Sequence, residues 1–326
     1  MNKSMPLVLI CCLLFGAAGS AISADWQPQK PVEVIVGVAA GGALDITARD
    51  MQRLLQGERM VNSPVSVVNR PGAGSAVAWA YMNQHAGDGH YISVSAPNLL
   101  TNALTGGNPL TYSDVTPLAI LFNEYIACSV KAGSSLTDGR ELVRRLKEDP
   151  GSLSIGIASA RGATNHIAAG VTLGAAGVDI KQLKLVVFKS SAESLTALLG
   201  GHIDIDFSTV SNVIPHFQAG RIKVLGITAP KRMASPLQDV PTWSEQGWPV
   251  DFSGWRGVIG PTGMSAAQIA YWDGIFAGLV KHPEWQGILQ KRLWVHAYMN
   301  SSETRQYLDA QSRSLGKVLA GLGLTK

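Results

Sequence analysis

Apolar and polar positions along this chain fall into two alternating periods. Pro31 introduces a β-rich run, Val32-Glu33-Val34-Ile35-Val36-Gly37-Val38, and the loop Ala39-Ala40-Gly41-Gly42-Ala43 follows it. Leu44, Ala48, Met51 and Leu55 then recur at spacings of four, three and four, the stripe of one helix face. A second strand is predicted over residues 65–68. Gly72-Ala73-Gly74-Ser75 leads into a helical stretch ending near His85, Asp88-Gly89 marks a turn, and a third strand is predicted over 91–94. This is a βαβαβ pattern, the signature of a mostly parallel sheet with helices on its faces.

The middle of the chain repeats the alternation. Leu142, Val143 and Leu146 suggest a helix, ended by Asp149-Pro150-Gly151. Strands are predicted over 153–157, 184–188, 203–207 and 222–227, with helices near 164–175, 192–199 and 211–218. Beyond Pro230 the pattern loosens. Pro236, Pro241, Pro249 and Pro261 punctuate a stretch that reads as loop-rich and holds Trp243, Trp248 and Trp255. Two more helices are predicted, near 265–280 and 302–320. Two such sheets imply two α/β lobes.

The amino terminus changes the picture of where the chain works. Lys3 gives a positive start, residues 6–18 are almost all apolar, and small residues lead to Ala24. That is the plan of a secretory signal peptide, with cleavage expected near Ala24. The apolar run is shorter than the roughly 20 residues a membrane-spanning helix needs. Cys11 and Cys12 lie in this run, and Ile10 stands where a lipid-attachment site wants a small residue. Residues 1–24 are therefore read as leader, which leaves about 300 residues, natural for two lobes. Of the cysteines only Cys128 then remains, set in an apolar run, so no internal disulfide can form and a buried thiol is expected. Formal net charge is +4 and falls to about +3 without Lys3, with charges interspersed and no basic block; nucleic-acid binding is not expected.

Candidate chemistry gathers at strand-to-helix junctions, where ligands of open α/β sheets sit. Helix amino termini there offer unpaired N–H groups and partial positive charge, which favour anions. The first junction holds Ala39, Ala40, Gly41, Gly42 and Asp45, where the glycines permit close backbone approach and Asp45 has the alternative role of capping its helix. Ser95 and Asn98 follow the third strand. The next junction holds Ser159, Arg161, Gly162, Thr164 and His166, and another holds Lys189 and Ser190. Asp206 and Thr209 end the set; Asp206 falls on strand alternation and equally suits a buried, paired carboxylate. Enzyme signatures are missing: no Gly-x-Ser-x-Gly elbow, no His-Glu-x-x-His, no Cys-x-x-Cys, and neither a Walker lysine nor a G-x-G-x-x-G order in the first loop. The seven histidines show no metal-ligand spacing. No catalytic residue, metal or cofactor is expected.

These residues resemble the periplasmic receptors of tripartite tricarboxylate transporters, the Bug family, over nearly the whole mature chain. The resemblance is carried by the segment from Lys30 to Arg49, with its Gly-Gly-x-x-Asp loop and Ala-Arg helix, and by Asn69-Arg70-Pro71-Gly72-Ala73-Gly74. Further matches are Asp88-Gly89-His90, Gly201-His202-Ile203-Asp204, Pro241-Thr242-Trp243-Ser244-Glu245-Gln246-Gly247 and the segment from Gly257 to Gly263. It implies a two-lobe type II periplasmic-binding-protein (Venus flytrap) fold. Lobe 1 would hold residues 25–125 plus 228–326 and lobe 2 residues 126–227, with the last helices returning to lobe 1. It also implies a monomer that captures a small organic carboxylate by loop amides, hydroxyls and bridging waters, for the membrane subunits of such a transporter. A receptor that presents its ligand to a membrane sensor kinase would share this chemistry, and a periplasmic enzyme is the remaining alternative. The chain departs from the family at Gly37-Val38, where Pro-Phe is usual, at Ala40, a usual proline, and at Lys189-Ser190-Ser191, usually Lys-Gly-Gly. In the loop 158–166 the hydroxyl positions are displaced by one step to Ser159 and Thr164, while Gly162 and His166 stay in register.

Overall fold

In the computed structural model of this chain, residues 26–106, 109–321 and 323 are described. The leader read from residues 1–24, with its cleavage point, Cys11 and Cys12, lies outside them.

The first lobe begins as the hydrophobic pattern predicts. β1 (Val32–Val36) lies between β2 (Val65–Asn69) and β3 (Tyr91–Ser95), all parallel. Helix α1 (Ala43–Gly57) buries Leu44, Ala48, Met51, Leu54 and Leu55 along one stripe, and α2 (Ala76–Asn83) buries Ala78, Trp79 and Met82. A short helix, α3 (Asn98–Leu104), follows β3. The chain then enters β4 (Thr116–Lys131), a strand of 16 residues. At about 3.3 Å per residue it is on the order of 50 Å long, and it runs through both lobes.

The second lobe holds α4 (Gly139–Glu148), β5 (Ser154–Ala158), α5 (Thr164–Ala175), β6 (Lys184–Phe188), α6 (Ser191–Gly200), β7 (Ile205–Thr209), α7 (Val210–Gln218) and β8 (Ile222–Ile227). β5 pairs in parallel with both β6 and β7. The distal half of β4, from Ile126 onward, pairs antiparallel with β7 and β8. Its proximal half, Thr116 to Tyr125, pairs antiparallel with β9 (Ser253–Gly260), which also joins β3. Beyond β9 come α8 (Ala266–Lys281), α9 (Pro283–Arg292), β10 (Val295–Met299) and α10 (Ser301–Gly321). β10 pairs with the proximal half of β4.

Each lobe has a core on both faces of its sheet. Trp272, Phe276, Leu279, Trp285 and Trp294 pack with α1 and the β1 side chains Val32, Val34 and Val36. The carboxyl-terminal helices therefore return to the first lobe. On that lobe's other face Trp79, Met82, Leu308, Leu315 and Leu319 pack together. In the second lobe Leu142, Leu146 and Leu173 cover one face, and Leu195, Leu198, Val213 and Ile214 the other. The stretch read as loop-rich belongs to these cores: Trp243 and Val250 join the first and Leu237 and Val240 the second. Thr228 ties the crossing strands at the joint. Its N–H donates to the Ile126 carbonyl at 3.0 Å, and its Oγ1 accepts from Ile126 N–H at 3.0 Å and donates to the Phe252 carbonyl at 2.6 Å.

The structure differs from the pattern-based reading in five elements, the first of them α3, to which nothing was assigned. β9, α9 and β10 fall where loop was expected or nothing was assigned, and β4 is far longer than the apolar run around Cys128. β9 is buried from Gly254 to Gly260, so it shows no alternation to read, as expected of a strand covered on both faces.

Candidate functional site

Five helices begin around one cavity between the lobes. Gly42, Ala43 and Leu44 come from the start of α1, and Asn98 from α3. From the other lobe come Ala163, Thr164 and Asn165 at the start of α5, Ser191 at α6 and Thr209 at α7. The cap residues Gly42, Ala163 and Thr209 make no side-chain cap bond, so the amides of those first turns stay unspent on caps. Val38, Ala96, Ala158, Ser159 and, from β9, Arg256 complete the lining. Its volume is about 40 Å³, room for about three waters.

The lobes meet directly across this cavity. Asn212 Nδ2 donates to the Gly41 carbonyl at 2.9 Å, and Thr101 Oγ1 donates to the Gly162 carbonyl at 2.5 Å. The Ala39 amide reaches the Lys189 carbonyl at 3.4 Å. A Cβ on Gly42 would lie 3.0 Å from Cβ of Ser190, and one on Gly41, whose φ is +78°, would lie 3.3 Å from Cβ of Ala192. These glycines let the first loop lie against the opposite lobe.

Of the residues singled out from sequence, Gly42, Asn98, Ser159, Thr164 and Thr209 line the cavity. Ser159 does so with φ +73°, a left-handed conformation, and its Oγ is buried without a partner. Ala39, Gly41, Gly162 and Lys189 contribute backbone groups to the contacts between lobes. The Arg161 and Lys189 side chains and Ala40 are exposed. Ser190 caps α6, its Oγ accepting from Glu193 N–H at 3.3 Å. Ser95 is fully buried on β3, opposite Gly257, with its Oγ unpartnered.

Three candidates brace the loops from behind. Asp45 accepts from the Gly41 amide, from Arg49 Nε and from Asn69 Nδ2, each at 2.9 Å. Burial pushes its carboxyl up, but these bonds outweigh that and hold it below the usual range. Asn69 also donates to the Val38 carbonyl at 3.0 Å, so the Asn-Arg-Pro-Gly motif knits the first loop to its helix. His166 Nδ1 accepts from the Gly162 amide at 2.8 Å. Burial first, and the nearby Arg161 charge second, lower its pKa to about 4, so it is a neutral acceptor at pH 7. Asp206 is fully buried in β7 and paired to Ser194, beneath the loops rather than in the cavity. Burial raises its carboxyl to about 7, against hydrogen bonds from Ser194 and Ser208.

The departures at Gly37 and in the loop 158–166 have a local logic. A Cβ on Gly37 would sit 2.2 Å from Cβ of Ser75, so glycine there goes with the serine that follows the Gly-Ala-Gly turn. Thr164 supplies the hydroxyl at the first turn of α5.

Pattern reading missed Asn165, Ser191, Arg256 and Glu124. Arg256 is 3% exposed, and its Nη2 donates to Oε2 of the fully buried Glu124 at 3.2 Å. The available signal was a single cation inside an otherwise uncharged strand, Ser-Gly-Trp-Arg-Gly-Val-Ile-Gly. Among the described residues no group of His, Cys, Asp and Glu is placed to hold a metal ion, and no helix is long and apolar enough to cross a membrane.

Two α/β lobes threaded by a common strand, with helix amino termini from both facing a closed cleft, define a two-lobe type II periplasmic-binding-protein fold. Within that class the chain belongs to the tripartite tricarboxylate transporter family of receptors, whose model matches residues 48–324. It is similar to the protein BugT of Bordetella pertussis, with 28% identity over 270 residues, 81% of this chain and 80% of that protein. Among solved structures it is similar in fold to Rpa4515 of R. palustris with adipate, at TM-score 0.83 and 24% identity, covering 92% of this chain and 99% of the other. It is likewise similar to MatC from Rhodopseudomonas palustris with bound malate, at TM-score 0.80 and 22% identity, covering 90% of this chain and 99% of that one.

Proposed function

We propose that this chain is exported to the periplasm, its leader removed near Ala24, and that it captures a small organic carboxylate between its lobes. It then presents the closed complex, as a monomer and without cofactor, to the membrane subunits of a tripartite tricarboxylate-type transporter. The observation that carries this reading is the convergence of helix amino termini without side-chain caps from both lobes, with one buried arginine, on a single cavity. Helix amino termini and arginine favour carboxylates. The adipate and malate held by two proteins of similar fold point the same way. Closure makes the occupied state distinguishable to a partner.

The ligand-contacting set in this reading is Gly42, Asn98, Ser159, Thr164, Thr209 and Arg256, with the Gly41 and Gly162 loops closing over it. The resemblance divides the lobes at residue 125 and near residue 227. The packing of Trp243 and Val250 favours placing the return crossing at Phe252 and Ser253 instead. A thermal-shift screen over mono-, di-, tri- and aromatic carboxylates tests the proposal, since a ligand that binds only the folded state raises the melting temperature. A rise with at least one acid is expected. No rise with any acid, beside a rise with a sugar or a cation, would remove the carboxylate claim.

A further inference from the structure

We propose that Arg256 grips a second acid group of the ligand and so makes this receptor select dianionic over monoanionic acids. The inference rests on the carboxylate reading above and assigns a residue to the choice among carboxylates. Among the described residues lining the cavity, Arg256 carries the one charged side chain. It is 3% exposed, yet its guanidinium is only partly engaged. Nη1 donates to the Trp255 carbonyl at 3.0 Å, Nη2 donates to Glu124 Oε2 at 3.2 Å, and Nε is buried with no partner. A guanidinium binds a carboxylate best with two parallel N–H groups. Glu124 takes one, which leaves the Nε edge unsatisfied in a place where an unmade hydrogen bond is costly.

Glu124 does not depend on Arg256 alone. Its Oε1 accepts from the Ser211 amide at 3.2 Å and from Trp294 Nε1 at 2.9 Å. Those donors hold the carboxylate still, so it serves as a fixed counter-charge that keeps Arg256 ionised and oriented while the cavity holds only water. Burial lowers the Arg256 pKa and the Glu124 charge raises it, the burial effect being larger, yet an arginine stays protonated in proteins. With the ion pair neutral, the positive field left in the cavity comes chiefly from the amino terminus of α5, whose first turn has neither a side-chain cap nor an acidic residue. The first turns of α1 and α6 carry Asp45 and Glu193, and α7 gives its Ser211 amide to Glu124, so a second acid group needs the arginine. One acid group would lie on the helix amides and the other on the free edge of Arg256. The cations of the neighbouring loops, Arg161 and Lys189, are exposed and do not line the cavity.

The test uses the full mature protein and matched acids of equal chain length, succinate against butyrate and adipate against hexanoate, titrated by calorimetry. Wild-type protein should bind at least one diacid about tenfold or more tightly than its monoacid partner, the scale of a charged hydrogen-bonded contact. Arg256→Gln should weaken the diacid by about tenfold more than the monoacid, so that most of the preference is lost, and Arg256→Lys, a point charge without the fork, should fall between them. If Arg256→Gln fails to fold because Glu124 is left unpaired, Glu124→Gln/Arg256→Gln removes both charges and is expected to give the same loss of preference. A diacid preference that survives in the variants, or a wild-type protein that binds both acids of a pair equally, would overturn the assignment and leave the carboxylate reading standing. Absence of binding by any of the four acids, beside binding of a non-acid, would remove the carboxylate reading itself and the assignment with it.

Discussion

Gly42 is where a single side chain should stop the lobes closing. A Cβ there would lie 3.0 Å from Cβ of Ser190 across the cleft, 3.0 Å from Cγ2 of Val38, and 3.2 Å from the Ala39 carbonyl oxygen. Carbon atoms at rest sit about 3.5–4.0 Å apart, so alanine alone asks the opposing surfaces to part by roughly half an ångström. Valine adds two methyl groups to the same gap. Gly42 has φ −74°, which any residue adopts, so Gly42→Val imposes no backbone strain; it presses on Val38 at the edge of the first lobe's core and, through Ser190, acts on closure. Overpacking of this kind costs about 1–3 kcal/mol, which corresponds to affinity weaker by about 5- to 150-fold. Titration calorimetry with the acid that gives the largest thermal shift measures it, and Gly42→Ala should fall between wild type and valine. A melting temperature near wild type without ligand, together with weaker binding, is the expected result. Unchanged affinity in the valine variant would show that the first loop does not approach the opposite lobe in the bound state.

Other expectations follow from single contacts. Asn212→Ala removes the 2.9 Å bond to the Gly41 carbonyl and should weaken binding by about three- to tenfold; equal affinity by calorimetry would exclude that bond from the closed complex. Burial raises the Asp206 carboxyl to about 7, above its unfolded value. Its stabilising protonated form is then fully present at pH below about 4 and is lost as pH rises through about 7. Stability in urea should fall from pH 5 to pH 8, and Asp206→Asn should flatten that fall, on the scale of 1.4 kcal/mol per pH unit at most; parallel pH curves for the two proteins would refute the shift. Cys128 is fully buried and its thiol is pushed up by burial, with the Asp206 charge adding to this, so a thiol reagent should label it only after unfolding. Labelling of the folded protein at the rate of a free thiol would contradict its placement.

The elements with a clean period were legible in the sequence. The stripe Leu44, Ala48, Met51 and Leu55 is the buried face of α1. The helix expected near 164–175 is Thr164–Ala175. What escaped was structure without a period. β9 is buried on both faces, and β10 is a short strand paired only with β4, its first two residues exposed. In α9 the buried Trp285, Ile288 and Leu289 are too few to mark a face. β4 was hidden because Asn123 and Glu124 interrupt its apolar run, and Glu124 is there for a partner 132 residues away. The same separation explains the site. Amide-rich loops announce themselves by glycine and small residues after a strand, and Gly42, Ser159, Thr164 and Thr209, singled out in that way, line the cavity. A buried arginine is recognisable only once the strand that carries it is placed against Glu124. Asp45 and His166 were singled out as ligand contacts, and their polar atoms instead hold the loops of Gly41 and Gly162 in shape behind the cavity.

The central claim, that an organic acid is held between the lobes, is tested most directly by a crystal structure grown with the acid that gives the largest thermal shift. That acid should lie enclosed between the amino termini of α1, α5 and α7, with Gly42, Thr164 and Thr209 around one carboxylate and Arg256 Nε within hydrogen-bond distance of the other. An acid bound outside this cleft, or a closed cleft holding only water while the acid is bound elsewhere, would contradict it.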